Sequence, residues 1–192
     1  MRRLEVGPES LKAMAHPLRV EMLRLLQLRQ RASVTSLAAE LGETTGAISY
    51  HLRQLARHGF VEEFTPEADA ALPRSPGRQQ RWWRMAVDEI HTTGFGMLGD
   101  DSTRAAADFV LRDSAEARSR ALTRWYETAV EWPAEWQRAS SDADDVLDLD
   151  PTQTRALADE LAALLNKYRA APKGEGTRRV HLQYATFPAD VR

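Results

Sequence analysis

Between residues 44 and 57 the chain reads Thr-Thr-Gly-Ala-Ile-Ser-Tyr-His-Leu-Arg-Gln-Leu-Ala-Arg, a stretch rich in hydrogen-bonding side chains. Hydroxyls, a phenol, an amide and guanidinium groups are the side chains that read base edges in the major groove and grip phosphates. Their spacing sorts them onto one surface. With Ile48 facing inward, Leu52 and Leu55 follow it at the helical period. Gly46, Tyr50, Arg53 and Arg57 then fall roughly opposite, with Ser49 and Gln54 on the flanks. Arg53 has the reach for a guanine edge or a phosphate, Ser49 and Tyr50 for bases or backbone, and Gly46 permits a close approach. Thr44 or Thr45 caps the helix and adds a hydroxyl at its leading end.

The flanking sequence supplies elements to hold that helix. Pro17 opens a helix in which Leu18, Met22, Leu25 and Leu26 share one face, after a short first helix over 9–15 that stops before the His16–Pro17 step. A shorter helix runs to Leu41, with Ser33 or Thr35 as its cap and Leu37, Ala38 and Leu41 inward, and Gly42 ends it. Two short helices joined through a glycine turn are the helix-turn-helix pattern, whose second helix enters the major groove. Gly59 stops the 44–58 helix, and two strands are expected, Phe60–Phe64 and Gln79–Met85, around a basic tip with Pro66, Pro73, Pro76 and Gly77. That hairpin is a candidate wing. Arg74, Arg78 and Arg81, with Arg84 beside them, are its candidate phosphate or minor-groove contacts. Trp82 and Trp83 cannot both face inward on one strand, so one is expected in the core and the other against the C-terminal half.

The segments Leu-Lys-Ala-Met-Ala-His-Pro-Leu-Arg-Val-Glu-Met-Leu-Arg-Leu-Leu and SVTSLAAELGETTGAISYHLRQLARHGFVEE carry a resemblance to ArsR-type winged helix-turn-helix repressors, including a branch with a C-terminal extension. The first matches A-x-P-x-R-x-x-[IM]-L-x-x-L through Ala15, Pro17, Arg19, Met22, Leu23 and Leu26. The second matches [VI]-S-x-H-L-x-x-L-x-x-x-G-[LF]-V through Ile48, Ser49, His51, Leu52, Leu55, Gly59, Phe60 and Val61. The resemblance covers about the first 85 residues. It implies major-groove readout by the 44–58 helix, backbone contacts from a 65–81 wing, and a homodimer built by the first helix and the helix after the wing. Metal sensing, which many family members perform, is not expected. The chain has no cysteine, residues 102–132 contain no histidine, and the five histidines show no pair at ligand spacing on one helix.

Charge divides with the motif. Residues 1–86 balance at +4 and residues 87–192 at −6, against a net −2 for all 192 residues. Basic side chains supply the sequence-independent part of DNA binding, so the local sign matters more than the total. The absence of cysteine excludes disulfides, and no apolar run approaches a membrane span or signal core, so a cytoplasmic location is the default expectation.

The expected fold is mainly α with a small β wing: a winged helix-turn-helix over 1–86, a glycine-bearing linker over 87–101, and a helical region over 102–192 ending in a strand at 180–187. In the last part, Phe109, Leu122, Trp125, Tyr126, Ala129 and Val130 are the expected buried positions of one long helix or two. Asp150–Pro151 starts another helix, with Leu157, Leu161, Leu164 and Leu165 as its stripe. Phe109, Trp125, Tyr126, Trp132 and Trp136 are candidates to line a pocket for an unidentified small-molecule effector, or to form core and dimer interface.

No P-loop, nucleophile elbow, paired-carboxylate site or dinucleotide glycine motif is present, so neither an enzyme nor a cofactor is expected. The expected function is a sequence-specific, homodimeric transcriptional regulator of the repressor kind that binds double-stranded DNA. The alternative is a helix-turn-helix used for protein contact, with an effector-binding C-terminal region. An apolar outer face on the 44–58 helix would mark it, whereas Ser49, Tyr50, Arg53 and Arg57 mark DNA.

Overall fold

The computed structural model describes residues 2–65, 81–92 and 95–189. Its contacts divide into two compact units, Met1–Ala115 and Glu116–Arg192.

The first unit begins with strand β1 (Arg3–Glu5) and helices α1 (Pro8–Met14) and α2 (Pro17–Arg29). His16 caps α2: its Nδ1 accepts from the Leu18 N–H at 3.2 Å, and Pro17 opens the helix. Gln30 at φ 67° ends α2, and the chain turns directly into β2 (Arg31–Ser33). Helices α3 (Val34–Leu41) and α4 (Thr45–Arg57) follow, then β3 (Val61–Phe64), β4 (Trp82–Met85) and β5 (Glu89–His91).

Strands β2, β4 and β3 form an antiparallel sheet with β4 in the middle. Central β4 aligns Trp83 with Ala32 on one side and Glu63 on the other. The hairpin strands are thus as expected at their inner ends, while β2 was not anticipated. Three residues between two helices carry too little periodicity to announce a strand. Trp83 joins the main core, and Trp82 is buried outside it, as alternation along a strand requires.

One core holds the first unit together. Leu11 and Met14 of α1 meet Met22, Leu23 and Leu26 of α2, Leu37 and Ala38 of α3, and Ile48, Leu52 and Leu55 of α4. Phe60, Val61 and Trp83 close it on the sheet side. Leu18 and Leu25 are only half-buried, while Val20 and Leu23 are buried, because α2 packs against α3, α4, β2 and β4 and not against a single neighbour.

The stretch expected as a linker, 87–101, contains β5, which pairs in parallel with β1, and a short 3-10 turn at Gly96–Leu98. Buried Thr103 then donates its hydroxyl to the Met97 carbonyl at 2.9 Å and leads into α5 (Arg104–Thr128). Ala107 and Val110 of α5 lie in the core, and Arg24 pairs with Asp113. Structured pairing and packing therefore continue well past residue 86.

The second unit contains the end of α5, a 3-10 turn at Ala129–Glu131, α6 (Ala134–Ala139) and α7 (Pro151–Arg169). Asp150 and Gln153 form a reciprocal capping box before α7, with Pro151 at its first position. The expected strand at 180–187 is not formed. The described residues of this unit include no strand for it to pair with, and an unpaired strand leaves its backbone groups unmatched. The segment instead lies outside any helix or strand, with Val180, Leu182 and Phe187 exposed. Tyr126 and Val130, expected inside, are exposed, as is Leu164. Among its described residues only Ala162 is buried. No described helix is long and apolar enough to cross a membrane.

This division of burial has a measurable consequence. Leu52→Ala is expected to lower stability by about 2–5 kcal/mol, since it empties a fully enclosed site. Val130→Ala, at a side chain 81% exposed, should stay within about 0.5 kcal/mol. Urea unfolding followed by circular dichroism measures both.

Candidate nucleic-acid interface

The surface presented by α4 is set from both ends. Ser33 caps α3: its Oγ accepts from the Ser36 N–H at 3.0 Å while Ser36 Oγ accepts from the Ser33 N–H at 3.0 Å. Gly42 ends α3 at φ 67°, a left-handed conformation that a side chain disfavours. Two residues later Thr44 caps α4, accepting from the Ala47 N–H at 3.1 Å. The Thr44 hydroxyl keeps its own proton and can still donate outward. Gly59 at φ 74° releases the chain into β3.

Ile48, Leu52 and Leu55 are fully buried on the inner side of α4. The outer side carries exposed Thr44, Thr45, Gly46, Tyr50, Arg53 and Arg57, with Ser49 and Gln54 half-buried. All eight sequence-selected positions of this helix and its cap therefore reach its outer side or flanks. Tyr50 is 53% exposed and is the one large side chain with apolar character there. Among the described residues neither Arg53 nor Arg57 has a carboxylate partner, so both charges are free to meet an anion.

The hairpin arginines differ. Arg81 Nε lies 3.6 Å from Glu63. Arg84 donates to Glu62 at 2.7 Å and stacks over the Phe64 ring at 5.1 Å. Arg2 reaches the same carboxylate at 3.0 Å, and its hydrogen bond, supported by Arg84, holds Glu62 below the ordinary carboxylate range. Arg81 and Arg84 are thus compensated within the hairpin base, a pairing invisible to a count of basic residues. Arg74 and Arg78 lie outside the described residues.

Behind Tyr50 sits a feature that the sequence reading passed over. The His16 and His51 rings are 4.5 Å apart, and Tyr50 meets His51 edge-on at 5.1 Å. His51 Nδ1 is buried, with no hydrogen-bond partner among the described residues. Burial lowers the His51 pKa, repulsion from His16 and Arg19 lowers it further, and Glu43 opposes them. His51 matched a motif position, but the signal was a spatial pair split between α2 and α4, which spacing along the chain does not reveal.

The aromatic set proposed for an effector is divided between the two units. Phe109 packs against the first unit's core, whereas Trp125, Tyr126, Trp132 and Trp136 belong to the second unit. Trp125 and Trp132 do meet, with centroids 6.0 Å apart, and Arg178 lies over Trp132 at 5.6 Å. A shallow depression beside them is lined by Trp125, Ala129, Val130, Gln137 and Asp142. Tyr126 is exposed and donates to Asp142, while Trp136 is half-buried and takes no part in that lining.

The depressed His51 pKa carries a pH dependence. The unfolded chain takes up the His51 proton near the ordinary value of 6.5, before the folded protein does. This contribution to stability is complete above that value and is lost as pH falls from it toward the lowered pKa. The thermal midpoint should therefore drop between about pH 7.5 and 5.5, and His51→Gln should flatten that drop. An unchanged slope in the variant would remove His51 from the account.

Residues 14–63 match the family model described as a helix-turn-helix domain. Among solved structures, HlyU from Vibrio cholerae is similar at 24% identity over 54% of this chain and 86% of that one, with a TM-score of 0.32. A homodimeric winged helix-turn-helix DNA-binding domain, Mb0332 from Mycobacterium bovis, described as a possible ArsR-family regulator, is 21% identical over 59% and 81%, with a TM-score of 0.35. A protein from Pyrococcus horikoshii described as a transcriptional regulator homologue is 23% identical over 59% and 97%, with a TM-score of 0.33. No curated protein matches the chain. Residues 14–63 thus match a helix-turn-helix domain, and the antiparallel β3–β4 pair beside α4 gives that domain a winged arrangement.

Proposed function

We propose that this chain is a sequence-specific DNA-binding transcriptional regulator, acting as a homodimeric repressor. One observation carries the reading: α4 buries Ile48, Leu52 and Leu55 completely while offering Thr45, Gly46, Tyr50, Arg53 and Arg57 on its exposed side. A helix of this kind fits the major groove, where guanidinium and hydroxyl groups read base edges. The outer side is polar and cationic, which favours duplex DNA over an apolar protein partner. The hairpin would follow the backbone or minor groove from the adjoining side, with Arg74 and Arg78 as its contacts. Arg81, compensated by Glu63, would contribute less.

A twofold dimer would place two copies of α4 on half-sites one helical turn apart, about 34–36 Å, and would select a pseudo-palindrome. The homodimeric state of the Mycobacterium bovis domain supports this arrangement by analogy. An effector, if the regulator uses one, would act through the second unit near Trp125 and Trp132.

Selection of bound duplexes from a random pool tests the proposal directly. A two-half-site palindrome is expected, and recovery of no enriched duplex would overturn the reading. On the selected duplex, Arg53→Ala should cost about 1–3 kcal/mol and relax preference at one base pair in each half-site. Arg57→Ala, nearer the end of α4, should weaken all sequences alike. Wild-type affinity and salt dependence in the double variant would exclude α4 as the reader.

A further inference from the structure

Arg19 is the third residue of α2, and its guanidinium is poorly matched by its surroundings. Nη2 donates to the Lys12 carbonyl at a long 3.4 Å, and Nε is buried without a partner. Among the described residues no carboxylate pairs with it. Burial lowers its pKa, with the Tyr50 phenol near enough to act in the opposite sense. Partly buried arginines are ordinarily matched by an acid, because desolvating an unpaired guanidinium is unfavourable.

Its position gives the vacancy a direction. The start of α2 abuts the middle of α4: His16 stacks near His51, and His51 touches Tyr50 on the outer side. Arg19 therefore lies at the margin of the surface that α4 exposes. Other cations around that surface fall into two kinds. Arg53 and Arg57 are exposed, whereas Arg81 and Arg84 are already compensated by Glu63 and Glu62. Arg19 combines partial burial with a guanidinium charge that no carboxylate matches among the described residues, so an anion arriving at its terminal nitrogens would be attracted more strongly than at a fully hydrated side chain.

We propose that Arg19 is a phosphate-binding residue, taking a backbone phosphodiester of the duplex held by α4, with the Tyr50 hydroxyl as a second donor. The proposal rests on the DNA-binding reading above. The contact positions the helix without reading sequence, as phosphate contacts do. It also assigns Tyr50 an orienting role beside any base contact that it makes.

The test uses the full chain, a random-sequence duplex and the selected duplex. Arg19→Met keeps the apolar stem and removes the charge. The slope of log Kd against log salt should fall by about 0.9 for each Arg19 removed, with about tenfold weaker binding at low salt, equally on both duplexes. Tyr50→Phe should weaken binding with the slope unchanged. Should the Met variant not fold, the wild-type Arg19 guanidinium N–H resonances, identified by their loss in Arg19→Lys, are followed instead. Slower exchange of those protons with water on adding duplex supports the site. Wild-type binding with an unaltered Met-variant slope, or unaltered Arg19 guanidinium signals in the bound protein, overturns it. Failure of the wild-type chain to bind any duplex overturns the underlying DNA reading.

Discussion

The enclosure of Ile48, Leu52 and Leu55 determines what every polar group on α4 can do. Each side chain is fully buried, and each such burial contributes about 1.5–3 kcal/mol. A one-residue change of register would turn the helix by about 100° and drive Ser49 and Arg53 toward the core. That would bury a guanidinium among Met22, Leu26 and Leu37 with no carboxylate to receive it, at a cost of several kcal/mol. Apolar packing therefore orients the outer side, and Arg53 and Arg57 need no anchoring contacts of their own. Their charges stay available because other residues hold the helix.

The cations of the first unit are consequently unequal. At the hairpin base, Glu62 lies between Arg2 and Arg84, and Glu63 serves Arg81. These pairs tie the N-terminal segment, β3 and the start of β4 together, and their two carboxylates cancel two of the three positive charges. Among the described residues Arg53 and Arg57, neither paired with a carboxylate, both lie on α4.

Legibility followed the range of the interactions. The caps of α2, α3, α4 and α7 are local, set by residues within four positions, and His16–Pro17, Gly42, Thr44 and Asp150–Pro151 announce them. The inner stripe of α4 is also local, because three apolar residues at helical spacing determine a face. Pairing between distant segments was not legible. Strands β1, β2 and β5 have three residues each and depend on partners elsewhere in the chain. Glu62 compensating Arg84, and His16 meeting His51, are contacts of tertiary structure. The strand expected at 180–187 failed for the same reason in reverse: its alternation was present, but the pairing that would make it a strand was not.

The second unit extends that argument from pairing to burial. Helical period identified Leu157, Leu161, Leu164 and Leu165 as one stripe of α7, yet Leu164 and Tyr168 are exposed and only Ala162 is enclosed among the unit's described residues. Periodicity specifies which face of a helix is apolar, but not what covers it. A single copy of this unit leaves Tyr126, Val130, Leu164 and Tyr168 against solvent, where each loses the gain that burial would bring. In the proposed homodimer a second copy would supply that cover. DNA affinity would then depend on apolar side chains of the second unit, because two correctly spaced reading helices require an interface that fixes their separation.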